Sequence, residues 1–333
     1  MNAPPIFEAK NVSKIFTGGS LLKRSTTVAA DSVSLIIPSD RPTITAIAGE
    51  SGSGKTTLSL LMMGQILPST GQVFYHGKDL VHMTRTERQQ MRREVQPIFQ
   101  DPYSAYNPFY RVDHVLHMPV QHYGLAKSKE EAMKLIEDAL RTVGLRPPET
   151  LGRFPHQLSG GQRQRLMVAR ALLCKPKLIM ADEPVSMVDA SLRATILASL
   201  RSLKEELGIS IVYITHDLTT AYQIAENIAI MYAGSIVESG PVEQVIGRPK
   251  HPYTQLLISS IPLPDKSKRW GTGAIREDYS VASTRTSTGC KFAARCPAAM
   301  NKCWTHKPPF YQVDPDRSAA CFLYEETGAL NQT

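Results

Sequence analysis

The sequence predicts an α/β fold around a central parallel sheet, and three observations carry that prediction. Short apolar runs recur at Thr43–Ala48, Leu178–Ala181 and Ile211–Thr215, the pattern of strands buried on both faces. A glycine-rich octet, Gly49-Glu50-Ser51-Gly52-Ser53-Gly54-Lys55-Thr56, joins the first run to the helix-like stretch Lys55–Ile66. Ahead of it, Ile6–Val12 and Val28–Ile37 alternate apolar and polar residues, with Gly18-Gly19 and Pro38 as punctuation. They predict antiparallel strands that lead into the central one.

The remaining elements follow in order. Gly71–His76 reads as a strand and Thr84–Arg93 as a polar helix. The stretch Asp101–Pro119 carries Pro102, Asn107, Pro108 and Pro119 together with Tyr103, Tyr106, Phe109 and Tyr110. Aromatics on a loop suit a partner-binding surface, and equally local packing of the loop on its own domain. Ser128-Lys129-Glu130-Glu131 forms a capping box before a helix with one apolar face (Ala132, Leu135, Ile136, Ala139, Leu140, Val143) that stops at Gly144. Residues from about 101 to 165 are therefore expected as a helical subdomain. Met231–Glu238, turning at Ala233-Gly234, predicts a closing hairpin. From residue 241 the composition becomes rich in proline and cysteine, which divides the chain into 1–240 and a small extension, 241–333.

Bulk properties remove several function classes. With 42% hydrophobic and 20% charged residues, the chain has the composition of an ordinary globular protein. Its most apolar stretches, such as Leu58–Leu67 with Gly64 and Gln65 inside, fall short of the ~20 residues a membrane helix needs. Met1-Asn2-Ala3-Pro4-Pro5 does not open a signal peptide, so a cytoplasmic location is expected. The formal charge is +8, but the clusters Arg85–Arg93 and Lys266–Arg269 lack interleaved aromatics. They read as a solvated face or an anionic membrane contact, not as a nucleic-acid site.

The octet fits G-x-x-x-x-G-K-[ST], a phosphate-binding loop. Gly49, Gly52 and Gly54 let backbone N–H groups turn inward around a polyphosphate, with Ser51, Ser53 and Thr57 lining the same cradle. Lys55 would reach the β- and γ-phosphates, and the Thr56 hydroxyl would ligate magnesium. Leu178–Ala181 runs into Asp182-Glu183, an apolar strand ending in two carboxylates, which suits Asp182 near magnesium and Glu183 beside an attacking water. His216 ends the next strand. Between these stretches lies Leu158-Ser159-Gly160-Gly161-Gln162.

This last segment resembles the signature of ATP-binding-cassette (ABC) ATPases. Gln100, in Phe99-Gln100-Asp101-Pro102, is similar to the family's Q-loop, Asp189 to its D-loop and His216 to its switch histidine, all in family order. The resemblance implies a P-loop NTPase, RecA-like core with an antiparallel β subdomain and a helical subdomain. It further implies that two cassettes pair head to tail, so that Ser159, Gly160, Gly161 and Gln162 close on the partner's nucleotide. Glu183 would be general base, His216 would hold the γ-phosphate and water, and Gln100 would sense metal and water. Phe16 could stack on the base, although a lone phenylalanine is more often core. Asp40-Arg41-Pro42 before the central strand and Met187-Val188 before Asp189 depart from the family pattern without touching these groups.

The tail is similar to the C-terminal extension of oligopeptide/dipeptide permease ATPases, on His251-Pro252-Tyr253-Thr254, Leu256-Leu257, Pro262-Leu263-Pro264 and Gly289-Cys290-Lys291-Phe292 through Arg295-Cys296-Pro297. It holds Cys290, Cys296, Cys303 and Cys321, without the C-x₂-C pairing of structural zinc. The resemblance implies a 4Fe-4S cluster; on ligand type alone, zinc and free thiols stay open. Cys174 reads as a small buried hydrophobe. The implied function is the ATPase subunit of an importer of oligopeptides or dipeptides at the cytoplasmic face of the plasma membrane. Its implied partners are a second ATPase subunit (a heterodimer favoured over a homodimer), two transmembrane permease subunits and an extracytoplasmic solute-binding protein. The same machinery with nickel, opines, glutathione or oligosaccharides as cargo is the alternative, and a non-transport ABC ATPase a more distant one.

Overall fold

The computed structural model describes residues 3–18, 25–101, 106–261 and 288–327. Two long strands, β1 (Phe7–Gly18) and β2 (Ser25–Ile37), lead to the short strand β3 (Ile44–Ala48), which runs through the glycine-rich loop into helix α1 (Lys55–Met62). Next come β4 (Thr70–Tyr75), β5 (Lys78–Asp79), α2 (Arg85–Glu94) and β6 (Val95–Ile98). Thr84 and Glu87 close a capping box on α2, which fixes where that polar helix begins. Helices α3 (Val112–His122), α4 (Lys129–Thr142), the single turn α5 (Pro147–Thr150) and α6 (Gly160–Leu173) form the insert.

The chain returns through β7 (Leu178–Asp182), α7 (Ala190–Leu207), β8 (Ser210–Thr215), α8 (Leu218–Ile224) and the hairpin β9 (Asn227–Tyr232) and β10 (Ser235–Pro241). Two short helices, α9 (Val242–Gly247) and α10 (Pro252–Ser259), then α11 (Asn301–Thr305), β11 (Tyr311–Asp314) and β12 (Arg317–Ala319) make up the described tail.

Among the described residues the strands form two sheets, β2-β1-β4-β5 and β11-β12-β10-β9-β3-β8-β7-β6. Alternation along the central strands divides the core. Ile44, Ala46, Ile179, Ala181, Ile211 and Tyr213 face a cluster shared with α3, α4, α6, α7 and α8. Ile47, Leu178, Met180, Val212 and Ile214 face α1 and the antiparallel sheet. Successive side chains of a strand point to opposite faces, so strands covered on both sides read as unbroken apolar runs.

Three boundaries differ from expectation. The loop after Asp101 ends at Val112, and Pro119 lies inside α3. The helical segment does not stop near 165: α6 runs on to Leu173, because Leu166, Met167, Val168, Ala169 and Leu173 all belong to the main core. The compositional change at 241 is not a break in the sheet either, since β12 pairs antiparallel with β10, placing Ala319 opposite Glu238. Pro262-Leu263-Pro264, the basic cluster Lys266–Arg269 and residues 102–105 of the aromatic loop lie outside the described residues.

The tail's strands are anchored by a buried ion group. Arg317, 1% exposed, donates to the carbonyls of Gln244 and Arg248 at 2.7 Å each, pairs with Asp314, and lies 3.9 Å from the buried Glu238. Burying a guanidinium is costly unless it is paired and bonded, and here the two terminal nitrogens are matched while Nε is without a partner among the described residues.

Candidate active site

Parallel pairing brings the sequence motifs to one edge. β3 lies between β8 and β9, and β8 beside β7, with Ala48 opposite Thr215, Asp182 opposite Ile214, and Ile98 opposite Ala181. The residues that follow these carboxyl ends, Gly49 onward, Glu183, His216 and Gln100, therefore meet in one crevice, where open α/β sheets bind ligands.

Within the loop, Gly49 and Gly54 are required by geometry. Their φ angles are +156° and +102°, and a Cβ would lie 2.2 Å from the Met231 carbonyl oxygen and 2.2 Å from that of Ala29, respectively. Gly54 caps α1 without a side-chain hydrogen bond, which leaves the first-turn N–H groups directed at the loop's interior. The Ser53 hydroxyl is buried and, among the described residues, has no hydrogen-bond partner. Lys55 is buried as well; its Nζ donates to the carbonyls of Gly49 (2.8 Å) and Glu50 (2.9 Å). Burial lowers its pKa, while Glu183, Asp182 and Glu50 pull it back up.

Thr56 Oγ1 donates to Asp182 Oδ2 at 3.4 Å. Burial and the neighbouring Glu183 raise the Asp182 pKa. Both oxygens of Glu183 are engaged: Gln100 Nε2 donates to Oε2 at 2.8 Å, and His216 Nδ1 lies 2.7 Å from Oε1. Glu183 itself sits at φ +44°, its N–H donating to Ile214 O (2.9 Å) and its carbonyl accepting from Ser186 Oγ (3.0 Å). A non-glycine residue in the left-handed region costs on the order of 1–3 kcal/mol and persists where surrounding bonds over-determine it.

The fold thus gathers Lys55, Thr56, Asp182, Glu183, Gln100 and His216. Thr56 and Asp182 offer hard oxygen donors side by side, which fits magnesium; that ion takes one or two carboxylates plus substrate phosphates. Among the described residues no group of three or more His, Cys, Asp or Glu is set to hold a metal.

Other predicted residues stand apart from this crevice. Ser159 caps α6 in a closed box with Gln162 (Oγ from Gln162 N–H at 3.2 Å; Ser159 N–H to Gln162 Oε1 at 2.9 Å) and is exposed. Gly161 is constrained by packing: a Cβ there would lie 1.8 Å from Leu192 Cδ2 on α7. Asp189 caps α7 and is exposed. Phe16 is exposed on β1, with Lys14 Nζ 5.3 Å from its ring centre.

In the tail, Cys290, Cys296, Cys303 and Cys321 line one small cavity with His251, Phe292 and Phe322. All are free thiols; burial pushes Cys290 and Cys296 up, and Cys321 up to about 11. The donor type suits a thiolate-bound metal, but the thiols converge without forming a ligand set. Cys174, at the end of α6, is buried as expected.

Sequence reasoning passed over Glu50, Tyr253 and Arg295. Arg295 forms a two-pronged ion pair with the Glu50 carboxylate (3.0 Å and 3.0 Å), and the Glu50 N–H donates to Tyr253 Oη at 2.9 Å. Glu50 fills a variable position of the octet, and no local pattern announces a partner so far along the chain.

The ABC transporter family model matches residues 31–186, and that of the oligopeptide/dipeptide transporter C-terminal region matches residues 237–303. The oligopeptide transport ATP-binding protein AppD of Bacillus subtilis is 38% identical over 291 residues, spanning 85% of this chain and 88% of that protein. The chain belongs to the ABC transporter ATP-binding family. It is an ABC-type ATPase. The ATPase is likewise similar, at 40% identity over 285 residues, to a protein of Sinorhizobium fredii named "Probable peptide ABC transporter ATP-binding protein y4tS", spanning 86% of this chain and 80% of that one. Among solved structures, the dimeric post-hydrolysis state of the ATP-binding cassette MJ0796 bound to ADP and Pi aligns with a TM-score of 0.62 at 28% identity, covering 71% of this chain and 98% of that one.

Proposed function

We propose that this ATPase energises an importer of oligopeptides or dipeptides. The match of residues 237–303 to the oligopeptide/dipeptide transporter C-terminal region carries the reading. Relatives named as peptide or oligopeptide transport ATP-binding proteins support it.

The chemistry follows from the crevice. Lys55 would exchange its two backbone carbonyls for the β- and γ-phosphates of ATP, a trade of dipoles for full charges that its buried position strengthens. Thr56 and Asp182 would hold magnesium, which supplies charge neutralisation on the phosphates. Glu183 accepts the proton of the attacking water; Gln100 and His216, already on its two oxygens, orient it. Ser159 is exposed and Gly160 and Gln162 are half-buried at a helix start, Ser159 and Gln162 bonded to each other and Gly161 buried behind them, which supports this segment's acting on a partner's nucleotide, with Asp189 at the same interface. The likeness to a dimeric cassette supports this pairing. Phe16 supplies a stacking surface for the base.

The partners are a second ATPase subunit, with a heterodimer favoured, two transmembrane permeases and an external solute-binding protein. Among the described residues no helix is long and apolar enough to cross a membrane. The ATPase then sits peripherally on the cytoplasmic side. The aromatic loop supports a permease contact: Phe109 is 87% exposed, whereas Tyr106 is buried and donates to Arg163 O at 2.8 Å.

Deleting the gene is expected to abolish ATP-dependent uptake of labelled peptides while leaving free amino-acid uptake intact. Normal peptide uptake with loss of nickel or sugar uptake would reassign the cargo. The convergence of the four tail thiols supports uptake of a 4Fe-4S cluster. Iron and sulfide analysis of anaerobically purified protein checks this, and stoichiometric zinc or no metal would refute it.

A further inference from the structure

The tail grips the phosphate loop at two points. At the first, Glu50 is held from three directions: Tyr253 Oη takes its N–H, Lys55 Nζ donates to its carbonyl, and Arg295 takes both carboxylate oxygens. Arg295 is itself fixed by aromatic faces, its guanidinium 5.7 Å from the Tyr232 ring centre and 5.6 Å from that of Phe292. Tyr253 and Phe292 are fully buried, and the rings of Tyr232, Tyr253 and Phe292 pack within 4.5–5.5 Å of one another.

The second point is the β9–β10 turn. Gly234 N–H donates to the Ser53 carbonyl at 2.8 Å, so this turn holds the far side of the loop. Lys291 in turn holds the turn, donating to Ala233 O (2.7 Å) and Ser235 Oγ (2.9 Å), and it also pairs with Asp31 (2.8 Å). Burial works to raise the Asp31 pKa, yet hydrogen bonds from Lys291 and Lys307 bring it down to about 2. Two residues of the tail thus act on a loop more than 230 positions earlier, Arg295 directly on Glu50 and Lys291 through the turn that bonds Ser53.

We propose that the cysteine-rich tail is a strap that presets the phosphate loop for ATP, with Arg295 as a positioning residue acting through Glu50. Two physical effects support it. An ordered loop binds its ligand without first losing backbone freedom. A carboxylate at the second position of an anion-binding loop opposes a triphosphate unless a cation neutralises it, and Arg295 does so with a rigid fork. The inference rests on ATP binding at this loop and is independent of the cargo.

The test is a double-mutant cycle on the full-length chain, reading the ATP dissociation constant with a fluorescent ATP analogue, and KM and kcat by phosphate release. Arg295→Ala is expected to weaken ATP binding about tenfold, the worth of one charge-assisted pair, with the change falling on KM more than on kcat. Arg295→Lys keeps the charge but loses the fork, and falls between. Glu50→Gln added to Arg295→Ala removes the unpaired carboxylate and restores part of the affinity, so the two changes are not additive. Unchanged ATP affinity in both Arg295 variants, or additivity of the cycle, overturns the proposal. Should Arg295→Ala lower the melting temperature, the cycle of Arg295→Lys with Glu50→Gln decides by the same criterion.

Discussion

At the nucleotide edge, Glu183, His216 and Gln100 are positioned by backbone pairing: each follows the carboxyl end of a parallel strand whose register is set by neighbours on either side or at the sheet edge. In the tail, Arg295, Tyr253 and Phe292 reach the same loop through side chains, across an aromatic cluster. The first arrangement tolerates changes of side-chain chemistry without loss of structure, because the ladder stays intact. The second ties chemistry to packing, so the same substitutions there cost stability as well as function.

The largest effect is expected at the edge. Glu183→Gln keeps shape and the contacts to Gln100 and His216 but removes the base. It should lower kcat by roughly 10²–10⁴-fold, leaving ATP binding and melting temperature near wild type. Phosphate release checks the first and thermal unfolding the second; near-normal turnover would remove Glu183 as base. In the tail the order inverts. Phe292→Ala removes a ring packed among Tyr232, Tyr253 and His251, and should cost about 3–5 kcal/mol of stability. Its unfolding midpoint is expected to fall while kcat at saturating ATP changes little, and an unchanged midpoint would erase the distinction between the two regions. Arg295→Lys, which keeps the charge, is the mildest of the series and sharpens it by separating neutralisation from geometry.

Much of the edge was legible because its chemistry is local. The octet, the paired carboxylates after an apolar run and His216 after the next are each contiguous, and parallel pairing then delivers them to one place. The helix starts at Thr84 and Ser128 were likewise local and fall within a residue of the observed ones, although only half of the box expected at Ser128 forms: Glu131 N–H donates to Ser128 Oγ, while the Glu131 carboxylate accepts from Lys127 N–H. Gly161 carries a constraint that no local pattern contains: a Cβ there would meet Leu192 of α7. The aromatic loop divides in the same way, since Tyr106 turns inward and Phe109 outward, a choice that one-dimensional pattern does not contain.

What the sequence determined by itself was therefore the order of the elements and which polar groups end the central strands and gather at one edge, each written in residues close together in the chain. Tertiary structure alone decided that the tail extends the catalytic sheet, that its cysteines converge on one cavity, and that Arg295 closes on Glu50. The physical reason is separation. A contact between residue 50 and residue 295 depends on how every intervening element packs, and it leaves no periodicity, cap or turn to be read in advance.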